Sequence, residues 1–341
     1  MRRFLLLTSL LAIGCGALPT PEMPAIEAAA AKPAIFDHDG CIDDYVALLM
    51  LLSSETYDLQ AVTVAYGDGY REPSLEACGR ILSAVGKSAR LGGYPDGLEG
   101  RNKFPEEWRR QSFAVAALPA LAGFEAASPS GDAVAVLEEA LAQSKEPVTI
   151  FATGPLTNLA AVYSRSPELV AKTAQIVMMG GAVRVTGNTI LQPDEITDLS
   201  AEYNLFVDPV AAKAVFALAG SGLRITLVPL DATNALPLKS PFVDQLLAAP
   251  GRNARLSGEV LKLVQHEMET WEYYLWDGAA VLAAVEPDLF TFENLNIKIH
   301  TEGRAQGRSE ESSEGTGPIR VATGVRPDGE PLAAVLKLLN K

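Results

Sequence analysis

Short apolar runs alternate along this chain with longer segments whose apolar residues recur at helical spacing, and the alternation begins at Pro33. The runs at 34–37, 60–65, 89–92, 148–152, 174–179 and 223–228 predict strands. Between them, 43–52, 72–85, 132–143, 156–163 and 209–218 predict helices. Strands separated by helical crossovers pair in parallel. The expected fold is therefore α/β: a single large domain with a mostly parallel, Rossmann-like central sheet flanked by helices. The later part is more helical, at 241–249, 255–271 and 277–285, and closes with strands at 291–300 and 319–322 and a helix at 332–339. Three long loops interrupt the pattern. Loop 101–130 holds Phe104, Trp108 and Phe113, loop 186–198 is polar and acidic, and loop 301–317, rich in Gly, Ser and Glu, reads as a solvated hairpin tip. Ligands of open α/β sheets sit at the carboxyl ends of the strands, so the active site is expected just after them.

The N-terminus follows a different pattern. Arg2 and Arg3 precede an apolar run at 4–13, too short for a bilayer span but suited to a signal segment. It ends in Ala12-Ile13-Gly14-Cys15, which resembles a bacterial lipobox, with cleavage near Ala17 as the alternative. Residues 1–17 are thus expected to be a signal segment, 18–32 a Pro/Ala linker and 33–341 the folded domain. The implied location is exported, periplasmic or secreted, with membrane attachment only through a lipid at Cys15. Over 341 residues the apolar fraction is 48%, ample for a core, and the net charge is −14. That acidity opposes binding to nucleic-acid phosphate, which needs clustered Lys and Arg. Beyond the leader only Cys41 and Cys78 remain, too few for a disulfide framework.

The chemistry concentrates after the first strand. Ile35-Phe36-Asp37-His38-Asp39-Gly40-Cys41-Ile42-Asp43-Asp44 places four carboxylates within eight residues. Asp37 and Asp39 share a strand face by its period of two, while His38 points the other way and reads as a packed histidine. Asp43 and Asp44 open a helix, where the dipole favours negative charge. Carboxylates converging on one strand end repel unless a cation neutralises them, and hard oxygen ligands favour Ca²⁺ or Mg²⁺ over zinc. A solvated acidic turn is the bland alternative.

The segment FDHDG resembles the first motif of haloacid-dehalogenase-type phosphatases, but Asp43-Asp44 run straight into an apolar helix and no later Lys-plus-acidic-pair constellation follows. A second resemblance runs further. Asp37 to Asp44 resembles the DxDGxxDD motif of the nucleoside hydrolases, and four more motifs follow in order. They are Thr153-Gly154-Pro155-Leu156-Thr157-Asn158; Met178-Met179-Gly180-Gly181-Ala182 with Gly187-Asn188; Ala201-Glu202-Tyr203-Asn204 with Asp208-Pro209; and Tyr273-Tyr274-Leu275-Trp276-Asp277. Within that family the details resemble the purine-specific inosine-adenosine-guanosine branch. Gly40 stands where the inosine-uridine branch usually has Pro, and Trp276 where it has His. The segment from Lys103 to Arg109 and Asp231-Ala232-Thr233-Asn234 also match the purine branch. Cys41 departs from the pattern, replacing an Asn beside the sugar.

The resemblance implies a calcium-dependent purine nucleosidase acting through an oxocarbenium-like transition state. Asp39, Asp44, Asp277 and the Thr153 carbonyl would hold one Ca²⁺, Asp39 would be the catalytic base, and Asp37 would orient it from behind. Asp43, Asn188, Glu202 and Asn204 match ribose-binding positions. Trp108 and Trp276 would sandwich the base, with Asp68 on the base side. For Asp277 the bland alternative is a helix N-cap, for Asn188 a Gly-Asn turn, for Glu202 and Asn204 a helix start, and for Asp68 a turn. Small-molecule nucleosides are the expected partners, with no nucleic acid and a homodimer as the suggested assembly. The rival functions are a broad-specificity or pyrimidine nucleoside hydrolase, an exported non-catalytic nucleoside-binding lipoprotein, and the phosphatase.

Overall fold

In the computed structural model, residues 30–193, 195–315, 317–327 and 330–341 are described. The expected signal segment, the lipobox at Cys15 and most of the linker lie outside these residues. Lys32, expected in the linker, already begins the first strand.

Twelve strands form among the described residues. They are β1 (Lys32–His38), β2 (Tyr57–Val64), β3 (Arg90–Gly93), β4 (Gly131–Asp132), β5 (Val148–Ala152), β6 (Thr173–Met179), β7 (Ile225–Val228), β8 (Pro237–Leu238), β9 (Tyr273–Tyr274), β10 (Phe290–Ile299), β11 (Ser309–Glu311) and β12 (Pro318–Val325). Ten of them make one sheet in the order β11-β10-β12-β7-β6-β5-β1-β2-β3-β4. From β12 to β4 every pairing is parallel; β10 runs antiparallel to both its neighbours. Strands β8 and β9 form a separate antiparallel pair.

Successive residues of the central strands feed two cores. Phe36, Phe151 and Val177 face one, packed by helices Ile42–Ser53, Arg252–Leu261 and Trp276–Val285. Ile35, Ile150 and Ile176 face the other, packed by helices Ala133–Gln143, Thr157–Arg165 and Pro209–Ala217. A sheet covered on both faces needs apolar residues at every position, which is why these strands read as unbroken apolar runs.

The chain leaves β1 toward β2, β3 and β4, then returns to build β5, β6 and β7 on β1's other side. That reversal opens a crevice at the carboxyl ends of β1 and β5, where such sheets bind ligands.

Three expectations change. The 101–130 loop is not wholly irregular: it carries short helices at Glu106–Arg109 and Ser112–Ala116 and a 3-10 turn at Pro119–Leu121, where Val115, Ala116 and Leu121 pack inward. The helix expected over 255–271 is broken: Arg252–Leu261 ends, the backbone leaves helical geometry at Val264 (φ −115°, ψ 19°), and Gln265–Thr270 follows. The 301–317 loop is more than a solvated tip. Within it β11 pairs with β10, and Ser309, fully buried, donates to the Ala182 carbonyl while accepting from its amide. A polar side chain satisfied in this way can be buried without penalty, so composition alone misread the segment.

Candidate active site

The acidic loop follows β1 directly. Gly40 turns the chain at φ +86°, and a Cβ there would lie 2.2 Å from Ser74 Oγ, so glycine is required for both conformation and space. Asp44, in the first turn of the next helix, reaches back to accept from the amides of Gly40 and Cys41, both at 2.8 Å. Its other oxygen accepts from Thr153 Oγ1 at 2.5 Å, joining the loop after β1 to the loop after β5.

Asp39 lies in a cradle of backbone. Its Oδ2 accepts from the Asp68 amide at 3.0 Å, and its carbonyl accepts from Gly69 N at 2.6 Å. A Cβ on Gly67 would stand 2.0 Å from Asp39 Oδ2, and one on Gly154 2.8 Å from Asp39 Cβ. Only glycine lets both loops close on this carboxylate. Asp37, two residues earlier on the same face, accepts from Thr63 Oγ1 at 2.7 Å and Asn158 Nδ2 at 2.9 Å. His38 packs on the opposite face, stacked on Phe36 at 4.9 Å and 3.2 Å from Cys78 Sγ. Its Nδ1 also lies 3.5 Å from Asp44 Oδ2, so it backs the loop as well as the core.

Asp277 is brought in from 234 residues away: its amide donates to Asp43 Oδ2 at 2.9 Å. It sits inside the helix Trp276–Val285, whose N-cap position is Leu275, so the N-cap alternative does not hold. Tyr273 OH donates to Asp43 Oδ1 at 3.4 Å, a contact that the sequence reading did not single out although it quoted the motif.

Asp39, Asp43, Asp44, Asp68 and Asp277 are all buried. Burial, then Asp44 and Asp68, push Asp39 well above the ordinary carboxylate range. Burial, then Asp43 and Asp44, do the same to Asp277. Asp43 is raised to about 6 by burial and by Asp44, and Asp68 to about 7, chiefly by burial. The Cys41 thiol, among the same carboxylates, is pushed far above its usual value by burial and by Asp68 and Asp43, so it remains a protonated thiol.

This donor chemistry fits a hard cation. Three carboxylates and the Thr153 carbonyl offer only oxygen, and Asp68 Oδ1 is buried with no hydrogen-bond partner. Among the described residues, no three His, Cys, Asp or Glu side chains are already spaced as a ligand set.

The remaining residues surround the cluster. Asn204 Nδ2 donates to the carbonyls of Thr153 and Met179, both at 3.2 Å. Glu202 caps the short helix Tyr203–Val207 and accepts from the amides of Gly181 and Asn204 at 2.8 and 2.9 Å. Burial raises its pKa to about 7 against those amides. The helix-start alternative for Glu202 is therefore true of its local role. Asn188 Oδ1 accepts from the Tyr203 amide at 3.0 Å. Trp108 packs edge-on against Tyr203 at 5.3 Å, and Trp276 against Tyr273 at 4.8 Å; both are half-buried. The two tryptophans belong to separate aromatic clusters, Trp108 with Phe104 and Tyr203 and Trp276 with Tyr273 and Tyr274. An open groove of about 530 Å³ lies elsewhere, lined by Phe242, Leu332 and Leu336, and none of the predicted site residues lines it.

The profile of the inosine-uridine preferring nucleoside hydrolase family matches residues 34–329. The chain belongs to that family. It is 30% identical to the pyrimidine-specific ribonucleoside hydrolase RihA of Salmonella agona over 281 residues, covering 80% of this chain and 86% of that one. RihA of Citrobacter koseri matches equally, at 30% over the same lengths. Among solved structures, the inosine-uridine preferring nucleoside hydrolase of Bacillus anthracis superposes with a TM-score of 0.80 at 30% identity, covering 91% of this chain and 99% of that one. The plant nucleoside hydrolase PpNRh1 gives 0.76 at 25%, with the same coverage. This nucleoside hydrolase is thus an N-glycosyl hydrolase of ribonucleosides, of a family that generally works with a divalent metal ion. The purine-branch assignment is not confirmed by these relatives: the two RihA enzymes are named pyrimidine-specific and the Bacillus anthracis enzyme inosine-uridine preferring.

Proposed function

We propose that this nucleoside hydrolase cleaves purine ribonucleosides to free base and ribose, with Ca²⁺ held by Asp39, Asp44, Asp277 and the Thr153 carbonyl. The purine reading is carried by the two half-buried tryptophans, Trp276 beside Asp277 and Trp108 against the Tyr203 that lies between Glu202 and Asn204. The bound ion supplies Lewis acidity that makes water easier to deprotonate. Asp39 takes the proton, its carboxylate aimed by the Asp68 amide and confined by Gly67 and Gly154. Asp43, Asn188, Glu202 and Asn204 hold the ribose hydroxyls, and the surrounding carboxylates stabilise positive charge as the ring becomes oxocarbenium-like. Stacking on Trp108 and Trp276 holds the departing base.

Stacking adds only about 0.5–1.5 kcal/mol per aromatic pair beyond burial. Enzymes lower barriers by about 8–23 kcal/mol, so most of the acceleration must come from Asp39 and the charge around the sugar.

Pyrimidine preference is the second reading, favoured by the 30% identity to RihA. Release of reducing sugar from inosine, adenosine, guanosine, uridine and cytidine, with and without a Ca²⁺ chelator, separates the two. Chelator-sensitive release mainly from the three purines supports the proposal. Release mainly from uridine and cytidine transfers it to the second reading, and no release from any of them rejects hydrolysis of these substrates.

A further inference from the structure

Arg109 is the one buried side chain of the helical turn Glu106–Arg109, next to Trp108. Its guanidinium lies between two rings, 4.6 Å from the centroid of Tyr66 and 4.5 Å from that of Tyr70. It donates to the Gly69 carbonyl at 3.3 Å, while its Nε is buried without a partner. A charged side chain kept purely for packing would be expected to have its donors satisfied. Ser112 Oγ completes the fastening, donating to the Arg109 carbonyl at 2.8 Å and accepting from the Tyr70 amide at 3.2 Å.

The other side of the clasp is the Tyr66–Tyr70 loop, whose Asp68 and Gly69 amides hold Asp39. That loop is secured independently by Ala65 N donating to the His38 carbonyl at 2.6 Å. The turn bearing Trp108 has no backbone hydrogen bond to the sheet among the described residues; besides the guanidinium it is tied to this loop by Tyr70 OH donating to Glu106 and by Ser112. Removing the guanidinium would therefore loosen the turn while leaving the amides on Asp39 in place.

We propose that Arg109 is a positioning residue that fastens the Trp108 turn onto the loop holding Asp39, and so controls handling of the leaving base rather than activation of water. This rests on the riboside-hydrolase reading above. Its flat, delocalised cation fits between two rings as an ammonium group does not.

The test compares kcat/KM for inosine or uridine, whichever the wild type prefers, with that for p-nitrophenyl riboside, whose stabilised nitrophenolate leaves without protonation and so depends less on the Trp108 turn. Arg109→Met is expected to lower the nucleoside value about 2–10-fold more than the aryl riboside value, up to the full worth of Trp108 stacking and mainly through KM. Equal loss on both substrates, as a merely structural role would give, overturns the inference. Arg109→Lys is expected to behave like Arg109→Met; full recovery with lysine overturns the stacking argument. If the Arg109 variants do not fold, Tyr70→Leu removes one ring face at a half-exposed position. The same split is then expected at smaller size, and its absence counts against the inference. A wild type that cleaves neither substrate refutes the underlying reading instead.

Discussion

Removing the divalent ion should make the fold lose stability as pH rises, and restoring Ca²⁺ should flatten that dependence. Asp68 illustrates the size of the effect. Burial chiefly, with Asp43 and Asp44 adding and the Cys41 thiol opposing, raises its pKa from 3.8 to about 7. Between those two values the folded protein binds more protons at this site than the unfolded chain does, so stability is full below the lower value and falls as pH rises through the upper one. From pH 5 to pH 7 that is about two pKa units, or about 3 kcal/mol at roughly 1.4 kcal/mol per unit. Asp39, Asp43 and Asp277 are crowded by the same neighbours, so their shifts do not simply add. Unfolding entropy near 2 cal/mol/K per residue converts about 3 kcal/mol into a fall of about 4 °C in Tm for a chain of this size. A cation among the carboxylates favours their charged forms at both pH values and removes the difference. Differential scanning calorimetry at pH 5 and pH 7.5, in chelator and in excess Ca²⁺, measures all four states. A chelated protein as insensitive to pH as the Ca²⁺-loaded one, or more stable at pH 7.5, would refute the crowding argument.

Three further outcomes follow from the same geometry. Asp39→Asn should cut kcat by about 10²–10⁴-fold in a reducing-sugar assay, the usual worth of a general base, while raising the chelated Tm by removing one charge; near-normal turnover would dismiss Asp39 as the base. Trp108→Ala should lower kcat/KM about 2–10-fold for nucleosides, the kinetic equivalent of about 0.5–1.5 kcal/mol of stacking, and an undiminished value would remove it from base binding. Gly67→Ala should abolish activity with native circular dichroism, because its Cβ would fall 2.0 Å from Asp39 Oδ2; an active variant would show that the loop can yield.

Much of this protein was legible in its residues. The expected strand at 148–152 matches β5, and the helices expected at 43–52 and 277–285 differ from Ile42–Ser53 and Trp276–Val285 by a residue at the ends that moved. These succeed because hydrophobic periodicity is local and both faces of the sheet are covered. The acidic loop was visible for the same reason, four carboxylates being adjacent in sequence. Less legible were β4, β8, β9 and β11, which are two or three residues long and exist only where a partner strand meets them.

The chain by itself supplied the candidate site residues, through residue type and order, and most of the elements that bear them. Tertiary structure alone decided their meeting. Asp277 reaches Asp43 across 234 residues because helix Trp276–Val285 packs beside Ile42–Ser53, and Thr153 reaches Asp44 because β5 returns to pair with β1. It also decided that Ser309, in a segment of solvated composition, is buried against Ala182, and that Arg109 lies between two tyrosines. Periodicity records how each segment faces the core, whereas the mutual burial of charges depends on strand order and register, which no single segment encodes.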